Sequence, residues 1–222
     1  MLSPKLAVLV LPGGTDFSYR PFSRTQGSAL RMYPFTASIQ ALFGPAVRVH
    51  QATYRVYGWN GGQASPMPYA RASLERLKRR YPDVPIALIG HSMGGRIVAQ
   101  LGDDERVSDI LALAPWWQFA DWRQIHDDAR VVAIHGENDT LTRPKRTAKG
   151  IAELADRGLD ARFISVPAGG HAMLDHIGLW QGEALKFVGT ALSRSSSAKR
   201  SSPSSSSSSP SARIVGTRPS PQ

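Results

Sequence analysis

The chain has 222 residues, a formal net charge of +10 at pH 7 and no cysteine. This length suits one globular domain with a sizeable core, and the lack of cysteine excludes disulfides, thiolate catalysis and cysteine-ligated metals. No apolar run reaches the roughly 18 residues that a membrane-spanning helix needs, so we expect no transmembrane segment and, by default, a cytoplasmic protein.

Short apolar segments alternate with longer, helix-compatible segments along the first 192 residues. The predicted strands are 6–11, 46–51, 86–89, 110–114, 131–135 and 162–166. The predicted helices are 28–42, 69–80, 96–102, 143–157 and 179–192. Nearly continuous apolar strands that alternate with helices indicate the α/β class, here a mainly parallel sheet of about six strands with helices on both faces.

Residues 193–222 differ sharply in composition from the rest of the chain. Serine occupies 14 of these 30 positions, five residues are basic and none is acidic, which leaves a net charge of +5 for residues 1–192. Such a segment buries too little apolar surface to offset its ordering entropy. The sequence therefore predicts a domain over 1–192 and a disordered tail over 193–222. The basic charge is compatible with anionic surfaces, but the body contains no nucleic-acid recognition motif and we expect no specific nucleic-acid partner.

The segment 90–94 has the pattern G-x-S-x-G, with a predicted strand before it and a predicted helix after it. In this context the serine of a nucleophile elbow lies on a sharp turn with a positive φ. Strand and helix approach closely there, so the residues two before and two after the serine must be small. Gly90 and Gly94 satisfy this requirement, and Ser92 is the candidate nucleophile.

A serine hydroxyl needs a histidine to accept its proton and an acid to orient that histidine. His171 follows the last predicted strand in a glycine loop, and Asp139 lies just past the fifth strand. Because parallel strands end at one edge of a sheet, both would lie on the same edge as Ser92. The alternatives are His176 for the base and Glu137 for the acid. His91 and His135 are interpreted as neighbouring or structural histidines.

These motifs, GHSMGG at 90–95, H-G-x-x-D at 135–139 and G-G-H at 169–171, together resemble the α/β-hydrolase superfamily in its small form without a large lid domain. The order nucleophile, acid, histidine is the same, and the resemblance covers roughly residues 5–192. It implies an oxyanion hole formed by the backbone amides of Met93 and of Gly14, with Thr15 as the alternative to Gly14. Pro12 stands where many relatives have histidine.

Aromatic residues after the first and fourth strands are candidates for the substrate pocket, namely Tyr19, Trp116 and Trp117; packing against the core is the alternative for the two tryptophans. The resemblance predicts a serine hydrolase that cleaves small or medium carboxylic esters through an acyl-enzyme on Ser92. A lysophospholipase, thioesterase or acyltransferase would use the same residues, and a ligand-binding protein on this fold is the non-catalytic alternative. We expect a small-molecule ester as substrate and neither cofactor nor metal; the oligomeric state stays open.

Overall fold

The computed structural model describes residues 3–201, and in this range six parallel strands form one sheet. The strands are β1 Leu6–Leu11, β2 Val47–Gln51, β3 Ile86–His91, β4 Val107–Leu113, β5 Arg130–Gly136 and β6 Ala161–Val166. Their spatial order is β2-β1-β3-β4-β5-β6. The helices are α1 Gly27–Leu30, α2 Tyr33–Phe43, α3 Met67–Arg80, α4 Met93–Leu101, α5 Pro144–Asp156 and α6 Ile177–Ser201. The predicted fold class is confirmed.

Alternation of side chains along β1 explains why helices cover both faces of the sheet. All six residues of β1 are buried; Ala7, Leu9 and Leu11 join one apolar cluster, whereas Leu6, Val8 and Val10 join the other. The first cluster contains buried residues of α3, α4 and α5, and the second contains those of α2 and α6. Successive residues of a strand point to opposite faces, so a strand in the middle of the sheet has to be apolar throughout.

The helix predicted over 28–42 is divided into two in the structure. α1 ends at Leu30 and α2 begins at Tyr33, with Pro34 in its first turn. Proline has no amide hydrogen, so it cannot donate to the carbonyl four residues earlier and is tolerated only in the first turn of a helix. A continuous helix across this position is therefore disfavoured.

The final helix extends nine residues beyond its predicted end at Leu192. Serine hydroxyls in this extension donate to carbonyls one turn earlier, from Ser193 to Gly189 at 3.0 Å and from Ser196 to Leu192 at 3.0 Å. Elongating an existing helix is much easier than nucleating a new one, so even a serine-rich segment can continue it. The boundary at Leu192 stays a prediction, and the predicted disorder from residue 202 onward lies outside the described residues.

Two long loops meet at the carboxyl edge of the sheet. The loop after β1 and the loop after β2 form isolated bridges between Thr15 and Gly58 and between Pro21 and Val56. The loops that follow β3, β5 and β6 reach the same edge, because all strands run in the same direction. The candidate catalytic residues Ser92, Asp139 and His171 lie in these loops and therefore at this edge.

Candidate active site

Ser92 lies in the tight turn between β3 and α4. Its backbone has φ 57° and ψ −115°, a conformation that non-glycine residues rarely adopt. A Cβ atom on Gly94 would lie 1.9 Å from the carbonyl oxygen of Leu11, and one on Gly90 would lie 2.2 Å from that of Gly94. Both positions therefore require glycine, as the elbow pattern predicts, and the turn holds the Ser92 side chain at the edge of the sheet.

Ser92, His171 and Asp139 form a continuous chain of hydrogen bonds across three loops. The distance between Ser92 Oγ and His171 Nε2 is 2.9 Å, and that between His171 Nδ1 and Asp139 Oδ2 is 2.8 Å. The side chain of His171 is 15% exposed, whereas that of Asp139 is fully buried. With Nδ1–H donating to the carboxylate, the lone pair of Nε2 faces the serine hydroxyl, which is the tautomer that a general base requires.

Asp139 is held by more partners than the sequence indicated. Its Oδ2 atom also accepts hydrogen bonds from His135 Nε2 at 2.9 Å and from Thr142 Oγ1 at 2.7 Å. Its Oδ1 atom accepts from the backbone amides of Leu141 and Thr142 at 2.8 and 3.0 Å. Burial acts to raise the pKa of Asp139, but these hydrogen bonds outweigh it and hold the pKa well below its ordinary value. The carboxylate is therefore ionised, and its position is fixed.

The two alternative residues lie elsewhere. Glu137 is exposed and accepts a hydrogen bond from Ser165 Oγ at 2.9 Å, so its carboxylate is engaged with β6. His176 is exposed, with a positive φ immediately before α6. The structure brings neither of them to Ser92.

His91 is almost completely buried beside Ser92 and supports the loop that carries His171. Its Nε2–H donates to the backbone carbonyl of His171 at 2.9 Å. Its Nδ1 atom is buried and has no hydrogen-bond partner among residues 3–201. Burial above all, with the positive charge of His171, lowers the pKa of His91 to about 3. The ring is therefore neutral at physiological pH and acts as a fixed donor to the histidine loop.

The loop Leu11–Thr15 passes directly beside the elbow. Tyr54 donates its hydroxyl hydrogen to the Pro12 carbonyl at 3.1 Å, and the Thr15 amide donates to the Tyr57 carbonyl at 3.3 Å. The amide of Gly14 donates to no other group within the described residues. The amide of Met93 begins α4 and has no partner within the helix. Of the two residues that the sequence left open for the oxyanion, Gly14 has the available amide.

A cleft of about 660 Å³ opens above Ser92. Trp116 lines it, together with the neighbouring Gln118, Leu141 and Tyr57. Trp117 and Tyr19 are not among the residues that line this cleft. Trp117 is 2% exposed and donates its indole N–H to the Gly95 carbonyl, while Tyr19 is 54% exposed and bonds to Gln63. Packing has drawn Trp117 into the core, which its sequence position alone did not reveal.

The described residues contain neither a metal-binding cluster nor a membrane-spanning helix. Over the described part of the chain, no group of three or more histidine, cysteine or acidic side chains is placed to hold a metal ion. In the same range, no helix is both long enough and apolar enough to cross a membrane.

Comparison with solved structures finds proteins of similar fold. The structure resembles an alpha/beta hydrolase enzyme from a Medee basin deep-sea metagenome library, with a TM-score of 0.67, 19% identity and 86% of each chain covered. It also resembles a serine hydrolase without a lid from Xanthomonas campestris, with a TM-score of 0.64 and 15% identity over 86% of this chain and 84% of that one. A third similar structure is a thermophilic esterase from Thermogutta terrifontis, with a TM-score of 0.60, 12% identity and coverage of 86% and 84%.

The three solved structures are too distant in sequence to show more than a shared fold. Comparison of the sequence with protein-family models assigns the chain to a family. No curated protein matches the sequence. A family model described as Lipase (class 3) matches residues 22–103. The model described as Alpha/beta hydrolase family matches residues 68–191, more than half of the chain and all of the segment from the elbow to the histidine loop. The chain therefore belongs to the alpha/beta hydrolase family.

Proposed function

We propose that this protein is a serine hydrolase that cleaves carboxylic esters through an acyl-enzyme formed on Ser92. The single observation that carries the proposal is the hydrogen-bonded chain from Ser92 Oγ through His171 to Asp139, with distances of 2.9 and 2.8 Å. A serine, a histidine in the required tautomer and a buried, ionised carboxylate are the groups that acyl transfer to serine needs.

In the first half of the reaction, Ser92 Oγ attacks the ester carbonyl while its proton moves to His171 Nε2. The carbonyl oxygen becomes an oxyanion, which accepts hydrogen bonds from the amides of Met93 and Gly14. Each such donor contributes about 2.7–4 kcal/mol to stabilising the transition state. The tetrahedral intermediate collapses, the C–O bond to the alcohol breaks, and His171 gives its proton to the leaving oxygen.

In the second half, His171 takes a proton from water, and the resulting hydroxide attacks the acyl carbonyl. The C–O bond to Ser92 breaks, Ser92 regains its proton from His171, and the carboxylic acid leaves. Asp139 stays ionised throughout and stabilises the imidazolium that forms twice in the cycle. All of these steps use groups of this chain and water.

Three observations favour a carboxylic ester as the substrate. The cleft is open to solvent and of a volume suited to small or medium esters. One structural neighbour is an esterase, and part of the chain matches a lipase family. The residues that line the cleft include the apolar side chains Trp116 and Leu141. A thioesterase, a lysophospholipase or an acyltransferase would use the same three residues, so the choice among them is left to the assay.

Labelling with a fluorophosphonate probe tests the chemistry directly. We expect covalent modification of Ser92 in the wild-type protein and none in Ser92→Ala. Ser28→Ala is the matched control, because Ser28 lines the same cleft and its hydroxyl bonds to Gln26 rather than to His171; it should still be labelled.

Hydrolysis of a series of para-nitrophenyl esters of increasing acyl length then tests the substrate class. Ser92→Ala should abolish turnover while far-UV circular dichroism remains unchanged. Hydrolysis that persists in Ser92→Ala would overturn the proposal. An unlabelled and inactive wild-type protein would support a ligand-binding role instead.

A further inference from the structure

Arg31 is a cation without an anionic partner in the cleft that contains Ser92. It is half-buried at the end of α1 and lines the cleft together with Ser92 and His171. Among the described residues, its side chain forms neither an ion pair nor a hydrogen bond. The N–H groups of this guanidinium are therefore available to donate hydrogen bonds to an anion that binds in the cleft.

The other arginines near this edge are already engaged or lie outside the cleft. Arg96 is 7% exposed, donates to Asp121 at 2.8 Å and is covered by the ring of Trp59 at 4.0 Å. Arg143 and Arg146 line an adjoining pocket that shares Trp116, Gln118, Leu141 and Thr142 with the cleft, but neither arginine lines the cleft itself. Arg143 is exposed, and Arg146 donates to the carbonyl of Gln118 at 2.8 Å. Arg31 is the one basic side chain, apart from histidine, among the described residues that line the Ser92 cleft.

The charge around Arg31 favours an anionic ligand. The single acidic residue among those that line the cleft is Asp16, which is exposed and also lines the neighbouring groove beside Trp59. Burial chiefly lowers the pKa of His91, and the charges of His171 and Arg31 add to this effect, so Arg31 lies within electrostatic range of the histidine pair. A carboxylate bound to Arg31 would therefore be held in the same cleft as Ser92 and His171.

We infer that the cleft selects esters that carry a carboxylate, with Arg31 as the residue that recognises it. This inference rests on the proposed function for its reaction, but the recognition of the anion does not depend on turnover. The planar guanidinium can donate two parallel hydrogen bonds to a carboxylate, a geometry that lysine cannot reproduce.

Paired substrates that differ in charge test this selectivity. One pair varies the acyl part, para-nitrophenyl hydrogen glutarate against para-nitrophenyl hexanoate; the other varies the alcohol part, meta-carboxyphenyl acetate against phenyl acetate. For each pair, the ratio of kcat/KM for the anionic ester to that for the neutral ester is compared between variants, which cancels the intrinsic reactivity of the esters.

We expect Arg31→Gln to lower this ratio by about 10- to 100-fold for one of the two pairs, the range of a hydrogen bond to a charged group. The pair that responds identifies whether the carboxylate belongs to the acyl or the alcohol part. Arg31→Lys should retain part of the ratio. Arg79→Gln, which removes the same charge from an exposed position at the end of α3, should keep the wild-type ratio and so exclude a general charge effect. An unchanged ratio in Arg31→Gln for both pairs, with Ser92 active, would overturn the inference and leave the proposed function intact.

A binding experiment separates the inference from catalysis. Ser92→Ala protein is titrated by calorimetry with glutarate and with 3-hydroxybenzoate, which are the carboxylate products of the two anionic esters. At least one of them should give measurable binding that is lost when Arg31→Gln is added, whereas neutral glutaramide and phenol should bind equally weakly to both proteins. Binding that depends on Arg31 in a protein that hydrolyses no ester would support the inference while the proposed reaction fails. If neither carboxylate binds, or if the binding of both is insensitive to Arg31→Gln, the inference is refuted.

Discussion

Asp139 accepts five hydrogen bonds, three of them on the oxygen that faces His171. His135 and Thr142 share that oxygen with His171, so they fix the direction of the carboxylate as well as its charge. His135 is in turn held by a bond of 2.9 Å between its Nδ1 atom and Thr147 Oγ1. The candidate acid is thus embedded in a small buried network, in which the bonds depend on one another.

Substitutions of Asp139 and of the alternative acid Glu137 should differ clearly in their effect on kcat. Asp139→Asn should lower kcat for a para-nitrophenyl ester by about 10⁴-fold, since the amide favours the wrong tautomer of the histidine. Glu137→Gln should leave kcat within a few-fold of wild type, because Glu137 bonds to Ser165 on the surface. Steady-state kinetics of both variants is the measurement, and the opposite ranking would assign the acid to Glu137.

The neutral, buried state of His91 should appear in the pH dependence of stability. Unfolded His91 binds a proton below its ordinary pKa of 6.5, whereas folded His91 binds one only near pH 3. Between these values the unfolded state holds the extra proton, so stability is fully present above pH 6.5 and falls as the pH is lowered. The slope that this one group contributes approaches about 1.4 kcal/mol per pH unit.

His91→Gln should remove that slope while its side-chain amide keeps a donor for the carbonyl of His171. Urea unfolding at several pH values between 6.5 and 5 measures how the free energy of unfolding depends on pH. Asp139 does not contribute in this range, because the ordinary pKa of its carboxyl is 3.8. His176→Gln is the exposed control. Equal slopes in wild type and His91→Gln would show that the His91 ring takes up a proton in the folded state.

Single residues were predictable from sequence where a local pattern dictates them. The position of Ser92 in the turn could be predicted because the elbow needs glycines at fixed spacing. The positions of His171 and Asp139 beside it could be predicted because each follows a strand that ends at the same edge. Arg31 and Thr142 could not, since their roles depend on which loop folds beside which. Trp117 and Tyr19 show the same limit, because an aromatic residue near a site looks alike in sequence whether it packs inward or outward.

At the scale of elements, the strands were predicted better than the loops that shape the cleft. Their apolar runs are dictated by burial on both faces, whereas the loops after β1 and β2 are held by contacts between residues distant in sequence, such as the bridge from Thr15 to Gly58. Arg96 of α4 links the second of these loops to the segment after β4. Its guanidinium lies 4.0 Å from the ring centroid of Trp59 and 5.0 Å from that of Trp116, and it pairs with Asp121.

Removing Arg96 should therefore destabilise the protein as a whole. Arg96→Gln leaves the carboxylate of Asp121, which is 3% exposed, without its cation, and a broken buried pair costs about 3–5 kcal/mol of unfolding free energy. Arg71→Gln breaks the exposed pair with Asp103 and should cost under about 1 kcal/mol. Urea denaturation measures the loss of unfolding free energy in each variant. Equal small losses would mean that water or a neighbouring donor replaces Arg96 at Asp121.

At the scale of the molecule, α6 packs against the central strands of the sheet. Arg130 of β5 pairs with the buried Asp109 of β4 at 2.6 Å and donates to the carbonyl of Phe187 in α6 at 2.9 Å. Arg194 continues this contact beyond the predicted domain end, at 3.9 Å from Asp109 and 3.6 Å from Asp160. Ser195, at 9% exposure, is buried as well.

Two truncated chains test where the folded body ends. A chain that ends at Ser201 should keep the full-length Tm and kcat/KM, because it retains every contact described here. A chain that ends at Leu192 should keep kcat/KM, since no candidate site residue follows His171, but should lose the Arg194 contacts and the last turns of α6. Arg194 is 46% exposed, so the loss of its ion pairs should cost under about 1 kcal/mol and lower Tm by a few degrees. Calorimetry of the three chains measures this difference. Identical melting temperatures would place the boundary at Leu192, whereas a Ser201 chain less stable than full length would show that residues 202–222 also contribute to the folded body.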